Sequence, residues 1–257
     1  MQTWKLEIEY EGTRYRGWQI QREVKTIQGE LAKAVADIFE NKTEIGGAGR
    51  TDAGVHALAQ IAHLRVYKMV KDVKPRQLVY AINDRLPHDI NVIRAKVVPN
   101  EFHARHHALS RQYLYQISTR RTAFAKNHVW WVKDKLDLPA MNQATKLLAG
   151  KHDFRSFCEI ENEKDSTIVN VNSAQLMTNK QQMIYFRINA RHFLWKMVRR
   201  LTGTLVEIGR GNLTVEEFER MLHEKSNFAA QYTAPPSGLF LEKVFYPKDE
   251  DAEEATF

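Results

Sequence analysis

Among the residues of this chain that could do chemistry, Asp52 has the most suggestive surroundings. It lies in GGAGRTDAGVHALAQ, residues 46–60, where Gly46, Gly47, Gly49 and Gly54 surround one arginine, Arg50, and one carboxylate. Glycine serves where the backbone must take unusual dihedrals or approach another group closely. The spacing therefore predicts a tightly shaped loop opening from a sheet edge. Arg50 could keep the acid ionised by charge pairing, or simply tie the loop down. Two plainer readings compete. Asp52 could hydrogen-bond its own backbone in a turn. A phosphate loop is disfavoured, because the GxxxxGK[ST] pattern is missing and an acid repels phosphate.

Tyr113 sits in RQYLYQIST (111–119), where alternating tyrosines fit a strand but also offer a flat face and a phenol to a planar ligand. Arg199 stands in the run Lys196-Met197-Val198-Arg199-Arg200. Pattern alone does not separate it from Arg200. Gly203, one turn on, leaves room for another segment to approach. The histidines of FHARHHA, His103, His106 and His107, lack the acid or cysteine partners of a zinc motif. Packing, loop hydrogen bonds or nucleic-acid contact fit them better, and no metal site is expected.

These residues need elements to position them. Trp4, Leu6, Ile8 and Tyr10 share one face of a predicted strand. Thr26 is placed to cap a helix over 27–39 with an Ile27, Leu31, Ala34, Ile38 stripe. A strand near 43–46, the glycine-rich loop, a strand over 57–66, a helix opened by Pro75 and a strand over 90–98 follow. The same order then repeats. It runs through the strand at 111–119, a helix at 139–148, a hairpin split by Asn179-Lys180, helices at 193–208 and 214–223, and a last strand, GLFLEKVFY. Two split βαβ units account for this order, giving an α+β architecture with a largely antiparallel mixed sheet. The expected division is 1–103, which carries the Asp52 loop, then 104–247, then an acidic tail at 248–257.

The formal charge is +7, yet the last ten residues hold one lysine and five acids, so residues 1–247 carry +11. That excess favours a polyanionic partner. Arg14, Arg16, Arg22, Arg105 and Arg111 are candidates to hold a nucleic-acid backbone. The single cysteine, Cys158, excludes an internal disulfide and any multi-cysteine zinc site. With no signal-like start and no long apolar run, a cytoplasmic location away from membranes is the expectation.

Seven ordered blocks make this chain resemble the tRNA pseudouridine synthase A family over residues 1–247. They are YEGTRYRGWQIQ, TIQGEL, GAGRTDAGVHALAQ, FHARHHALSRQYLY, HDFRSF, FLWKMVRRLTGTL and SGLFLEKVFY. The resemblance implies the pseudouridine synthase fold, built from two ferredoxin-like units, and isomerisation of uridines 38–40 in the tRNA anticodon arm. It implies that Asp52 is the catalytic residue and that Tyr113 lies against the target base. It further implies that Arg199 pairs with the acid and that Arg50 is associated with the flipped nucleotide. It implies a homodimer that binds tRNA in basic clefts and needs no cofactor. One departure is visible: where the family commonly has an arginine before the long hairpin, DSTIVNVNSAQL carries Val169 and Asn170. Two rivals remain. A non-catalytic RNA-binding protein gives Asp52 no task, and a glycoside hydrolase usually pairs two acids.

Overall fold

The apolar alternation at the start of the chain forms β1 (Gln2–Tyr10), which buries Trp4, Leu6, Ile8 and Tyr10. The computed structural model describes residues 1–40, 42–68, 73–160, 165–180 and 182–247. The expected acidic tail lies outside the described residues. Thr26 accepts a hydrogen bond from Gly29 N and starts α1 (Ile27–Ala36), which buries Ile27, Leu31, Ala34 and Val35. The helix ends two residues before Ile38, which is only half-buried; Phe39 is buried instead, against the Trp4 ring at 6.1 Å. β2 (Thr43–Gly47), β3 (His56–Val66), α2 (Pro75–Asn83) and β4 (Ile90–Val98) follow. Proline at the first position of α2 loses no helical hydrogen bond there.

β1 pairs antiparallel with both β3 and β4, and β2 pairs antiparallel with β3. The resulting order, β4-β1-β3-β2 from a βαββαβ chain, is the split βαβ arrangement. Both helices bring apolar faces to this layer, with Leu78 and Ile82 of α2 fully buried.

By its contacts the chain divides into two compact units, Met1–Arg111 with the chain from Leu241, and Gln112–Phe240. This differs from a boundary at 103/104. Leu109 N donates to Phe245 O at 2.8 Å and Tyr246 OH to Ala104 O at 2.6 Å, which draws 104–111 and the chain end into the first unit.

The second unit carries most of β5 (Ser110–Ser118), then β6 (Trp130–Trp131), α3 (Leu138–Lys146), β7 (Gly150–Asp153), β8 (Ile168–Thr178) and β9 (Met183–Ala190). After these come α4 (Met197–Gly209), α5 (Val215–Met221) and α6 (Phe228–Gln231); β10 (Leu239–Phe245) begins here and passes into the first unit. The strand order is β5-β9-β8-β7, antiparallel from β9 through β7, while β6 runs parallel to β5. The expected hairpin is present, but β8 starts at Ile168, three residues before the VNSAQLMT run (171–178) that reads as its first strand, and pairs there with β7. In that extension Val169 is fully buried opposite His152, so the departure from the family pattern fills a core position. Asp137 caps α3, and Thr214 with Glu217 forms a reciprocal capping box on α5. No helix among the described residues is long and apolar enough to cross a membrane.

Candidate active site

The Asp52 loop, residues 48–55, is fixed from several directions by its own unit. At its entry Ala48 N donates to Ile61 O at 2.7 Å. The buried Gln60 amide donates to Gly49 O at 2.8 Å and accepts from Gly49 N at 3.4 Å. Thr51 is buried; its carbonyl accepts from Trp18 N at 3.0 Å, and its hydroxyl lies 2.8 Å from Tyr10 OH. The β1–β3 register slips between Ile8 and Tyr10, beside this contact; bulges of this kind re-aim side chains next to active sites.

Asp52 itself is half-buried, between buried Thr51 and exposed Ala53. Its carbonyl accepts from Val55 N at 3.1 Å, closing a turn whose third residue, Gly54, has φ +79°. A turn is therefore present here, and the bond that closes it runs from main chain to main chain. Beneath it, Gly17 also has positive φ (+89°), and a Cβ there would fall 2.4 Å from Thr51 O. Only glycine lets the 12–18 segment support the loop this closely.

Arg50 is exposed and donates Nε to Gln19 Oε1 at 3.1 Å. Gln19 donates in turn to Gln28 Oε1, and Gln28 Nε2 donates to Ile45 O, both at 2.8 Å. This relay ties the loop to α1 and β2, the second role foreseen for Arg50.

Arg111 corrects an expectation. Suggested as a backbone-holding arginine, it is only 8% exposed. Its Nε and Nη2 donate to Ala48 O at 3.2 and 2.7 Å, and Nη2 also donates to Arg105 O at 2.7 Å. Nη1 lies 3.5 Å from Ala108 O. Such a group is held by main-chain carbonyls inside the protein. Arg14, Arg16, Arg22 and Arg105 are exposed, with Arg14 3.7 Å from Asp89.

In the second unit Tyr113 is buried on β5, its ring edge-on to Phe193 with centroids 4.8 Å apart. Arg199 lies in the first turn of α4 and is half-buried. It donates Nε to Ala234 O at 2.8 Å, while Ala234 N donates to Arg199 O at 3.1 Å. Gly203 makes this seat possible, since a Cβ there would stand 1.5 Å from Tyr232 O. Arg200 is engaged differently: it donates to Cys158 O and sits 3.4 Å from Glu159. The structure thus distinguishes two neighbours that the pattern could not. Helix α4 begins four residues later than the apolar stripe suggested. Lys196 before it is left-handed (φ 61°) and held by Glu159 at 2.5 Å. Nearby, Tyr115 donates its hydroxyl to Pro235 O at 2.6 Å, and burial pushes its pKa well above the usual tyrosine range.

The histidines form a packed group in the first unit. His63 is buried and accepts from Ala104 N through Nδ1 at 3.2 Å, which leaves Nε2 to face Glu44 at 3.4 Å. The His103 ring lies 4.6 Å from His63 and 4.2 Å from His106. Its Nδ1 accepts from Arg105 N at 3.2 Å, a loop hydrogen bond of the kind expected.

Residues 7–107 and 144–247 match the model of the tRNA pseudouridine synthase family. The chain is 42% identical over 249 residues to a tRNA pseudouridine synthase A from Rhodopseudomonas palustris (strain BisA53), covering 96% of this chain and all of that protein. The protein of the same description from Thermosipho melanesiensis is 39% identical over 247 residues, with 96% and 100% coverage. The chain belongs to the tRNA pseudouridine synthase family. A solved H/ACA RNP bound to a substrate RNA containing 2'-deoxyuridine aligns with 9% identity and a TM-score of 0.35, over 79% of this chain and 44% of that one. That likeness is too weak to bear on the site.

As a member of the tRNA pseudouridine synthase family, the chain carries Asp52 and Arg50 in its first unit and Tyr113 and Arg199 in its second. Pattern reading found the loop and missed its supports. Gln60 looked like one more polar residue in a strand, and Tyr10 like one more apolar one. Their partners, Gly49 and Thr51, lie 11 and 41 residues away.

Proposed function

We propose that this protein isomerises uridine to pseudouridine at positions 38–40 of the tRNA anticodon arm, with Asp52 as the essential carboxylate. The observation that carries the reading is the family match across both units, within which Asp52 occupies a loop held by hydrogen bonds to Ile61, Gln60, Trp18 and Tyr10. The reaction breaks the N1–C1′ bond, turns the base and forms C5–C1′, with no atom gained or lost. It therefore needs neither a redox cofactor nor a metal. It needs a carboxylate to attack the sugar or base, or to take the 2′ proton, and Asp serves as such a nucleophile. Tyr113 is assigned to the target base, where aromatic stacking contributes ~1–3 kcal/mol. Arg199 is assigned to the charge of Asp52, and Arg50 to the flipped nucleotide. The enzyme works as a cytoplasmic homodimer holding tRNA. The hydrolase reading is weaker, because the loop at 48–55 supplies a single acid where that class uses two.

Asp52→Asn tests the assignment. Isomerisation should fall by about 10⁴-fold or more, while tRNA affinity stays near the parent value, because the basic surface is untouched. Mass-spectrometric mapping of treated tRNA reads the first quantity and filter binding the second. Turnover near the parent rate would sink the role of Asp52.

A further inference from the structure

We propose that Arg111 is a positioning residue for the reaction: its buried guanidinium sets the Asp52 loop from below. The inference rests on the reading of Asp52 as the reacting acid. Arg111 grips Ala48 O, four residues before Asp52, through two nitrogens at 3.2 and 2.7 Å. The same side chain takes Arg105 O at 2.7 Å. One planar group thereby joins the loop entry to the 105–108 turn. Lysine cannot reproduce this, because an ammonium on a flexible stem lacks the rigid fork. Ala48 is also where the loop leaves β2, with its N–H already committed to Ile61 O. A shift there is carried along the main chain toward Thr51 and Asp52. Displacements of about 1 Å at a reacting group can cost about 100-fold in rate.

The rival role is a phosphate contact, and the two roles separate cleanly. Arg111→Lys, with Arg111→Gln as a second variant should lysine not fold, is compared with Asp52→Asn. Each is checked by thermal unfolding, then assayed for single-turnover rate at saturating tRNA. Affinity is measured between about 50 and 200 mM salt. The expected result is a folded Arg111 variant about 100-fold slower at saturation, with affinity within about twofold and an unchanged salt slope. A saturating rate within about twofold of the parent overturns the proposal. So does a weaker affinity whose salt slope falls by about one at an unchanged saturating rate, which marks a lost phosphate contact. If Asp52→Asn keeps its turnover, the underlying reading fails; if only Arg111 proves neutral, that reading stands and this inference falls.

Discussion

Residues of one type do unlike work here, and their surroundings decide which. Arg50 leans outward onto Gln19, Arg111 is sealed against carbonyls, and Arg200 is taken up by Cys158 and Glu159. The histidines show the same dependence. His103 is held down at about 4, from an ordinary 6.5, first by burial and then by the charges of His63, His106 and Arg65, with Glu44 pulling the other way. The unfolded chain would take up that proton near pH 6.5 and the folded one only near 4. The unfolded state thus binds more protons between these values. The contribution is complete above 6.5 and is lost as pH falls toward 4. His63 shifts in the same direction, again chiefly through burial. His103→Gln should therefore lose less stability than the parent between about pH 7 and pH 5. Urea unfolding at the two pH values measures this, and equal losses in both proteins would refute it.

At the scale of elements, α4 is the most informative, because its packing seats Arg199. The helix is buried along most of its length, and the 232–234 segment lies directly on it at Gly203. Gly203→Ala would place a methyl 1.5 Å from Tyr232 O, a main-chain atom that no rotamer change removes. The segment would have to lift, disturbing the reciprocal hydrogen bonds between Arg199 and Ala234. The expected cost is about 3 kcal/mol, the upper end for overpacking, read from chemical denaturation. A loss below about 1 kcal/mol would mean that the segment yields easily and that Arg199 is not held by it. The late start of α4 has a local cause. Lys196 in a left-handed conformation cannot continue a right-handed helix, so Leu194 stays outside the helix, in a turn closed by Met197 N donating to its carbonyl at 3.1 Å.

For the whole molecule, charge and assembly are the quantities at issue. Residues 1–247 carry +11, a field suited to drawing in a polyanion. An anticodon stem-loop extends well beyond one catalytic pocket, and a second basic surface would hold the remainder in register. The homodimer proposal follows from that need and from the resemblance to the family. Sedimentation equilibrium at micromolar concentration should give twice the chain mass without tRNA, and that mass plus the mass of bound tRNA with it. A mass near 29.9 kDa in fully active preparations would rule the dimer out and leave Asp52 unaffected.

Local signals made much of this protein readable from its sequence. The period-two pattern of β1, the Thr26 cap, the proline opening α2 and the bounds of β4 each depend on a few adjacent residues, and each appears in the structure. The glycine-framed Asp52 loop was legible for the same reason, because backbone geometry is written in neighbouring residues. β7 is four residues long and too short to show a period. What tertiary structure alone decided is where the long polar side chains end. Arg111 meets Ala48 across 63 residues of sequence, and Arg199 meets Ala234 across 35. An arginine carries the same charge and reach whether it ends in solvent, on a phosphate or on a buried carbonyl. Only the folded chain, by bringing distant carbonyls to it, removes that choice.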